Sequence, residues 1–271
     1  MMRSLWTGAV GMHGQQYNID TIAHNLSNVN TVGYKANRAE FEDLLYQSLR
    51  LAGTPASLHT QSGTRYPVGV EAGAGVRVNS TMKIYTQGSP KQTDQWSDVC
   101  IFGEGFFKIQ LPGDQGFAYT RNGAFKIDRD RFLVNANGMY LEPRIQLPEG
   151  FLPDTVTVSR EGQVTCRTAT SPNEDVEVGQ FQLYRFVNPN GLKNIGENLV
   201  VVTEASGPEI VGTPDREGFG KLEQKMLEMS NVNPIDAMVG LITAQRAYEM
   251  NSKVIQTSDN MLNTAISLKR G

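Results

Sequence analysis

The feature that most constrains what this chain can fold into is a pair of amphipathic helical patterns at its two ends. Each is bordered by the same tetrapeptide, Ser-Asn-Val-Asn, at Ser27 to Asn30 and again at Ser230 to Asn233. In the first pattern Leu5, Ala9, Met12, Gln16, Ile19, Ala23 and Leu26 follow a strict alternation of four- and three-residue steps, and Ile22 and Val29 widen the face. A helix through this region is about 40 Å long at 1.5 Å per residue. At the other end Asn233 suits an N-cap, Pro234 the first helical position, and Asp236 the first turn, where the helix dipole favours an anion. The apolar positions then run Ile235, Met238, Val239, Ile242, Ala247, Met250, Val254, Ile255, Met261, Leu262, Ala265, Ile266 and Leu268, interrupted by Gln245, Arg246 and Glu249. That face is too wide for one partner helix.

Two such helices could simply pack on each other inside one chain, and the stripes by themselves leave this open. Helix propensity points to wider burial. Gly8, Gly11 and Gly14 each cost about 1 kcal/mol relative to alanine, so the first helix is weak in isolation and needs neighbours. Glycines three residues apart also leave a strip where another backbone can come close. The expectation is that both ends fray in the free subunit and order when subunits associate. The candidate subunit-interface residues are Leu5, Met12, Ile19, Ile22 and Leu26 on the first helix and Ile242, Met250, Val254, Met261 and Leu268 on the second. Gln16, Thr257 and Thr264, on or beside the stripes, are candidates for fixing register, and solvated positions explain them equally well.

Between the ends the texture changes twice. From Leu51 to Gly75, glycines and prolines punctuate small polar residues without periodicity, which reads as a long loop or extended arm. From Val99 onward, short β segments alternate with turn signals: Phe107, Ile109 and Leu111 alternate before Pro112-Gly113-Asp114, and Tyr119-Thr120-Arg121 faces Phe125-Lys126-Ile127 across Asn122-Gly123, a two-residue hairpin signal. Further strands are expected at Phe132 to Val134, Thr155 to Val158, Gln163 to Cys166, Gln180 to Phe186 and Leu199 to Thr203. The fold class is α+β: terminal α-helices forming a coiled-coil-like axial domain, an all-β central domain and an extended arm. The expected divisions are 1–45 (first helix and connector), 46–80 (arm), 81–221 (central β domain) and 222–271 (second helix, packed with 1–45).

A net charge of −3 with interspersed acids and bases provides no basic stripe for nucleic acid, and no run of 18 apolar residues suits membrane insertion. The first 20 residues lack the apolar core and cleavage site of a secretory signal. His13, His24 and His59 have no Cys, His or carboxylate at ligand spacing, and Cys100 and Cys166 match no metal or redox motif. Asp128 and Asp130 begin like a calcium loop, but Phe132 stands where the third oxygen ligand belongs. Gly103-x-Gly105 precedes a strand rather than a helix and reads as a bulge or tight turn. No cofactor and no metal are expected, and an enzyme is not the expected class.

The stretch from Asn25 to Lys35, Asn-Leu-Ser-Asn-Val-Asn-Thr-Val-Gly-Tyr-Lys, resembles the signature shared by flagellar rod and hook proteins, approximately Asn-Leu-Ala-Asn-x-Asn-Thr-x-Gly-Phe/Tyr-Lys. The run from Asp98 through Phe106-Phe107, Tyr119-Thr120-Arg121-x-Gly123-x-Phe125, Leu133 and Gly138 is similar to the β-domain pattern of that family. Gln245-Arg246-Ala247-Tyr248-Glu249-Met250-Asn251-Ser252-Lys253 and Asp259-x-Met261-Leu262 are similar to its closing signature. Arg3-Ser4-Leu5-Trp6, Gln15-Gln16 and Phe41-Glu42-Asp43-Leu44-Leu45-Tyr46-Gln47 resemble the distal rod members, with proximal rod or hook subunits as the alternative.

The resemblance implies a noncatalytic subunit of the basal body, exported by the flagellar type III apparatus without a cleaved signal. It also implies helical polymerisation with copies of itself in the periplasm-spanning rod, with an arm at roughly Ser48 to Val78 that stiffens it. The implied partners are proximal rod and hook or junction proteins, the P-ring and L-ring bushings, the export apparatus and the rod cap. The rival class is a peptidoglycan-cleaving enzyme built on Glu104, Asp128 or Glu161, each of which a turn explains equally well.

Overall fold

The computed structural model describes residues 2–54, 65–113, 116–169 and 171–270. The chain divides into two compact units, one of residues 1–26, 37–82 and 234–271, the other of residues 27–36 and 83–233.

The first unit holds the terminal helices, α1 (Met2–Ser27) and α2 (Pro234–Arg270), and a two-stranded ribbon. The helices run antiparallel in a regular register. Ser4 Oγ lies 3.0 Å from Ser258 Oγ, Gly8 faces Ile255, Gly11 faces Asn251, and Ile22 reaches Gly240. The seam is made of small groups: a Cβ added at Gly8 would stand 3.0 Å from Ile255 Cγ1, and one at Gly11 equally close to Asn251 Nδ2. Gly8 and Gly11 therefore exchange helix propensity for close approach of the second helix, whereas Gly14 faces Phe41 and Val76 of the ribbon.

The ribbon pairs β1 (Asn37–Asp43) with β4 (Val76–Lys83), and β2 (Gln47–Arg50) with β3 (Val70–Ala72). It continues outward through Gly53 N–H to Tyr66 O at 2.9 Å and Tyr66 N–H to Thr54 O at 3.0 Å, with the Arg50 guanidinium 3.8 Å over the Tyr66 ring. Part of the segment expected to lack periodic structure is thus paired strand. Its residues 55–64 lie outside the described residues. Asn25 ties the ribbon's start to the end of α1, its amide donating to Asn37 O at 2.7 Å and accepting from Asn37 N–H at 2.8 Å.

The second unit is β-rich. Its strands are β5 (Pro90–Gln92), β6 (Val99–Phe102), β7 (Phe107–Gln110), β8 (Phe117–Thr120), β9 (Lys126–Ile127), β10 (Leu133–Val134) and β11 (Leu141–Glu142). They continue with β12 (Thr157–Val158), β13 (Gln163–Thr168), β14 (Ser171–Gln180), β15 (Leu183–Arg185) and β16 (Lys193–Gly196). The last four are β17 (Leu199–Val201), β18 (Ile210–Gly212), β19 (Lys221–Gln224) and β20 (Met226–Glu228). The largest sheet has the order β11-β7-β8-β17-β16, a second runs β12-β13-β14, and β6 pairs with β19 and β5 with β20. The main core gathers Ile101, Phe107, Phe125, Leu141, Phe181, Leu183 and Leu222, with Phe107 edge-on to Phe125 at a centroid distance of 5.0 Å. A smaller aromatic core joins Phe106, Tyr119, Tyr184 and Phe186.

The expected Asn122-Gly123 hairpin does not form. β8 pairs with β7 and β17, Leu199 opposite Thr120, while Lys126–Ile127 pairs with β10 instead. Two local facts account for this. Asn122 Oδ1 accepts from Ala124 N–H at 3.0 Å, a side-chain turn that bends the chain away, and Gly123 lies flush against β6. Gly123 O accepts from Val99 N–H at 3.0 Å, and a Cβ there would stand 1.6 Å from Val99 O. The glycine is needed for close backbone approach rather than for a primed turn. Gly103 and Gly105, at φ +112° and +144°, make the tight turn read from the sequence.

Candidate assembly surface

On α2 the contact with α1 combines Ala244 and Ser258 with Asn251 and Ile255, which face the α1 glycines, and most of the large apolar side chains point elsewhere. Ala244 is 3 % exposed and Ser258 1 %, whereas Met250 is 61 % exposed and Leu268 79 %. Ile242, Val254 and Met261 are exposed as well, and so are Ile235, Met238 and Val239. Helical periodicity explains the split, because residues 237, 240, 244, 251, 255, 258 and 262 repeat at three- to seven-residue steps and form one face, leaving the bulky stripe on the others. Of the predicted interface residues, the five on α2 are exposed, while Leu5, Met12, Ile19, Ile22 and Leu26 on α1 are half-buried along the helix pair. Thr257 and Thr264 donate their hydroxyls to carbonyls of their own helix, Val254 O at 2.9 Å and Asn260 O at 2.9 Å.

A third face of α1 meets the ribbon. Trp6, Val10, His13 and Tyr17 line an open groove of about 820 Å³ with Leu44 and Val76. The ribbon itself carries Leu45, Tyr46, Leu49 and Leu51 largely in solvent. Contiguous exposed apolar surface of this kind marks a site of protein association.

Sequence reasoning missed a second constellation, in the β unit. Lys35, at the end of the first connector, Arg121, just after β8, and Glu228, at the end of β20, form a buried ionic cluster with side-chain exposures of 3, 6 and 0 %. Lys35 Nζ donates to Glu228 Oε1 at 2.6 Å and to Thr86 O at 2.6 Å. Gly88 N–H donates to the same Oε1 at 2.9 Å, and Arg121 Nε to Oε2 at 3.0 Å. Arg121 also holds the carbonyls of Gly103 and Gly105, at 2.9 and 2.8 Å, and Gln87 Oε1 at 3.1 Å.

Burial pushes the Lys35 ammonium below its ordinary range, with the Glu228 carboxylate opposing. Removing one partner of such a cluster leaves a buried charge uncompensated, at about 3 to 5 kcal/mol. The signal was present in part, since Lys35 and Arg121 both sit in the stretches that resemble rod and hook signatures. Nothing in the sequence joins them to Glu228.

The second tetrapeptide joins the first connector through Asn231. Asn231 accepts from Ala36 N–H at 2.8 Å and donates to Ile84 O at 2.7 Å, and Gly33 N–H donates to Glu228 O at 2.7 Å. Gly33, at φ +70°, has Asn122 N where a Cβ would come within 2.8 Å.

The three carboxylates weighed for catalysis sit apart in sequence and take different partners. Glu104 lies 3.7 Å from Arg185, Glu161 pairs with Arg216 at 3.1 Å, and Asp128 accepts from the Tyr140 hydroxyl at 3.4 Å. Among the described residues no group of three or more His, Cys, Asp and Glu could hold a metal ion, and no helix is long and apolar enough to cross a membrane. Both cysteines are free and buried.

A family model described as "Flagella basal body rod protein" matches residues 5–35, "Flagellar hook protein FlgE/F/G D1 domain" matches residues 100–166, and "Flagellar basal body rod FlgEFG protein C-terminal" matches residues 223–268. The chain is 53% identical over 270 residues to the flagellar basal-body rod protein FlgG of Borreliella burgdorferi, covering 100% of both chains. It is 45% identical over 262 residues to FlgG of Buchnera aphidicola subsp. Schizaphis graminum, covering 97% of this chain and 98% of the relative. With FlgG of Caulobacter vibrioides it shares 42% identity over 268 residues, covering 99% and 100%. With full-length matches of this kind to proteins of one name, the chain belongs to the FlgG family of flagellar basal-body rod proteins.

Proposed function

We propose that this structural rod subunit polymerises helically through its paired terminal helices, forming the distal part of the rod, a rigid shaft that passes torque from motor to hook. The observation that carries the reading is the division of labour on α2, where one face around Ala244, Asn251, Ile255 and Ser258 makes the contact within the chain and Ile242, Met250, Val254, Met261 and Leu268 remain outside. A wide apolar face of this kind is buried by several neighbours at once. Leu5, Met12, Ile19, Ile22 and Leu26 take the complementary role along α1. A ridge on one helix and a groove beside the other are different surfaces, and pairing different surfaces between copies generates rings or open helical polymers rather than closed dimers.

In this reading residues 1–45 and 222–271 form the axial core, 81–221 the outer β domain, and the ribbon within 46–80 the arm that stiffens the shaft. The subunit acts without catalysis in the periplasm-spanning rod, which it reaches through the flagellar type III apparatus. It meets proximal rod and hook or junction proteins at its ends, the P-ring and L-ring around it, and the rod cap at the growing tip.

The test is substitution on the exposed face. Met250→Asp and Val254→Asp should leave the monomer folded, with a thermal midpoint within a few degrees of wild type, because both side chains already meet water. Filament formation should be lost. Filaments of normal length from the double variant would overturn the reading.

A further inference from the structure

We propose that Glu228 is a positioning residue that clamps both connectors, the one leaving α1 and the one entering α2, to the β unit through a single carboxylate. The inference concerns the β unit's own contacts and does not rest on the polymer reading. Its basis is convergence. Oε1 receives the ammonium of Lys35 from the first connector and the amide of Gly88, Oε2 receives Arg121 from the end of β8, and the backbone carbonyl of Glu228 receives Gly33 N–H. One residue downstream, Met229 N–H donates to Ser89 O at 2.9 Å, so the second connector departs from the same point. Every one of these segments is far from the others in sequence: Lys35 and Glu228 are 193 residues apart, and Arg121 and Glu228 are 107. The cluster holds two cations against one anion with the carboxylate fully buried. Lys35 takes one carboxylate oxygen and Arg121 the other, so each oxygen holds one side of the cluster.

Glutamine is the informative replacement. Glu228→Gln keeps the shape, removes the charge and turns one acceptor into a donor that must face either Lys35 or Arg121. Four backbone amides report on the outcome: Gly33 and Ala36 for the first connector, Met229 for the second, and Gly88 for the carboxylate itself. In native-state amide exchange on the full chain, Glu228→Gln should accelerate all four at least tenfold and leave the amides of β7 and β8 unchanged. Lys35→Met should accelerate only Gly33 and Ala36, because Arg121 still holds the carboxylate on the other side.

The proposal fails if Glu228→Gln loosens one connector alone. It also fails if exchange quickens equally through β7 and β8, which would mark a generally destabilised unit. Should Glu228→Gln not fold, exchange of the wild-type chain in low urea decides: the four amides opening at rates within about threefold of one another supports a shared clamp, and separation into two sets more than tenfold apart overturns it.

Discussion

Cys100 shows how far the ionic cluster reaches. Burial pushes its thiol up to about 11 from an ordinary 9.0, and the nearby Glu228 carboxylate adds to the shift. A thiol whose folded value is raised contributes stability that is intact below the unfolded value of 9.0 and is lost as pH climbs to about 11. A rise of that size corresponds to about 2 to 3 kcal/mol. Lys35 acts in the opposite sense. Its folded value is depressed, so raising the pH toward 10.5 relieves the burial of its charge and offsets part of the loss. Urea midpoints measured at pH 8.5 and 10.5 should therefore fall for the wild-type chain and fall less for Cys100→Ala; equal falls would contradict the assignment. Gly123→Ala should cost about 3 kcal/mol or more, since its Cβ would occupy the space of Val99 O, and a melt unchanged within 2 °C would count against the close approach. At this scale the sequence was least legible. Lys35, Arg121 and Glu228 are residue types usually found on surfaces, and only the tertiary pairing of β8, β20 and the first connector makes them one site.

At the scale of elements the terminal helices were legible almost to the residue, because their boundaries are written in local chemistry. Pro234 and Asp236 open α2, and the stripe through Leu26 ends α1 at Ser27. What periodicity could not assign was which face goes inward. Gly8 and Gly11 of α1 carry no hydrophobic signal, yet their size lets Ile255 and Asn251 of α2 approach, while most of the bulky stripe that dominates the pattern stays outside. Strands fared unevenly for the same reason. Phe107 and Ile109 alternate in sequence, but Lys108 between them is also buried, its ammonium held by Glu209 at 2.8 Å. The Asn122-Gly123 signal failed because the neighbours of β8 were supplied from far along the chain, at Leu199. The helix pair yields its own prediction. With three glycines in α1 and a seam of small groups, amides of residues 2–27 in a dilute monomer should exchange at least a hundredfold faster than those of β7 and β8, and strong protection of α1 would contradict assembly-dependent ordering.

At the scale of the whole molecule the division into a helix-and-ribbon unit and a β unit separates the two demands on a rod subunit. The β unit has its own aromatic and aliphatic core, so its folding needs no partner. The first unit buries small groups and leaves large apolar side chains exposed, which is the basis for proposing that other chains complete its surface. The identity to FlgG relatives runs the full length of the chain, through the sequences of both units. The most direct test of the central claim is a density map of the assembled filament. The account predicts that residues 2–27 and 234–268 form coaxial helical layers around a channel, with Ile242, Met250, Val254, Met261 and Leu268 buried between neighbouring copies. A map in which those side chains face solvent, and the β units make all the contacts between subunits, would contradict it.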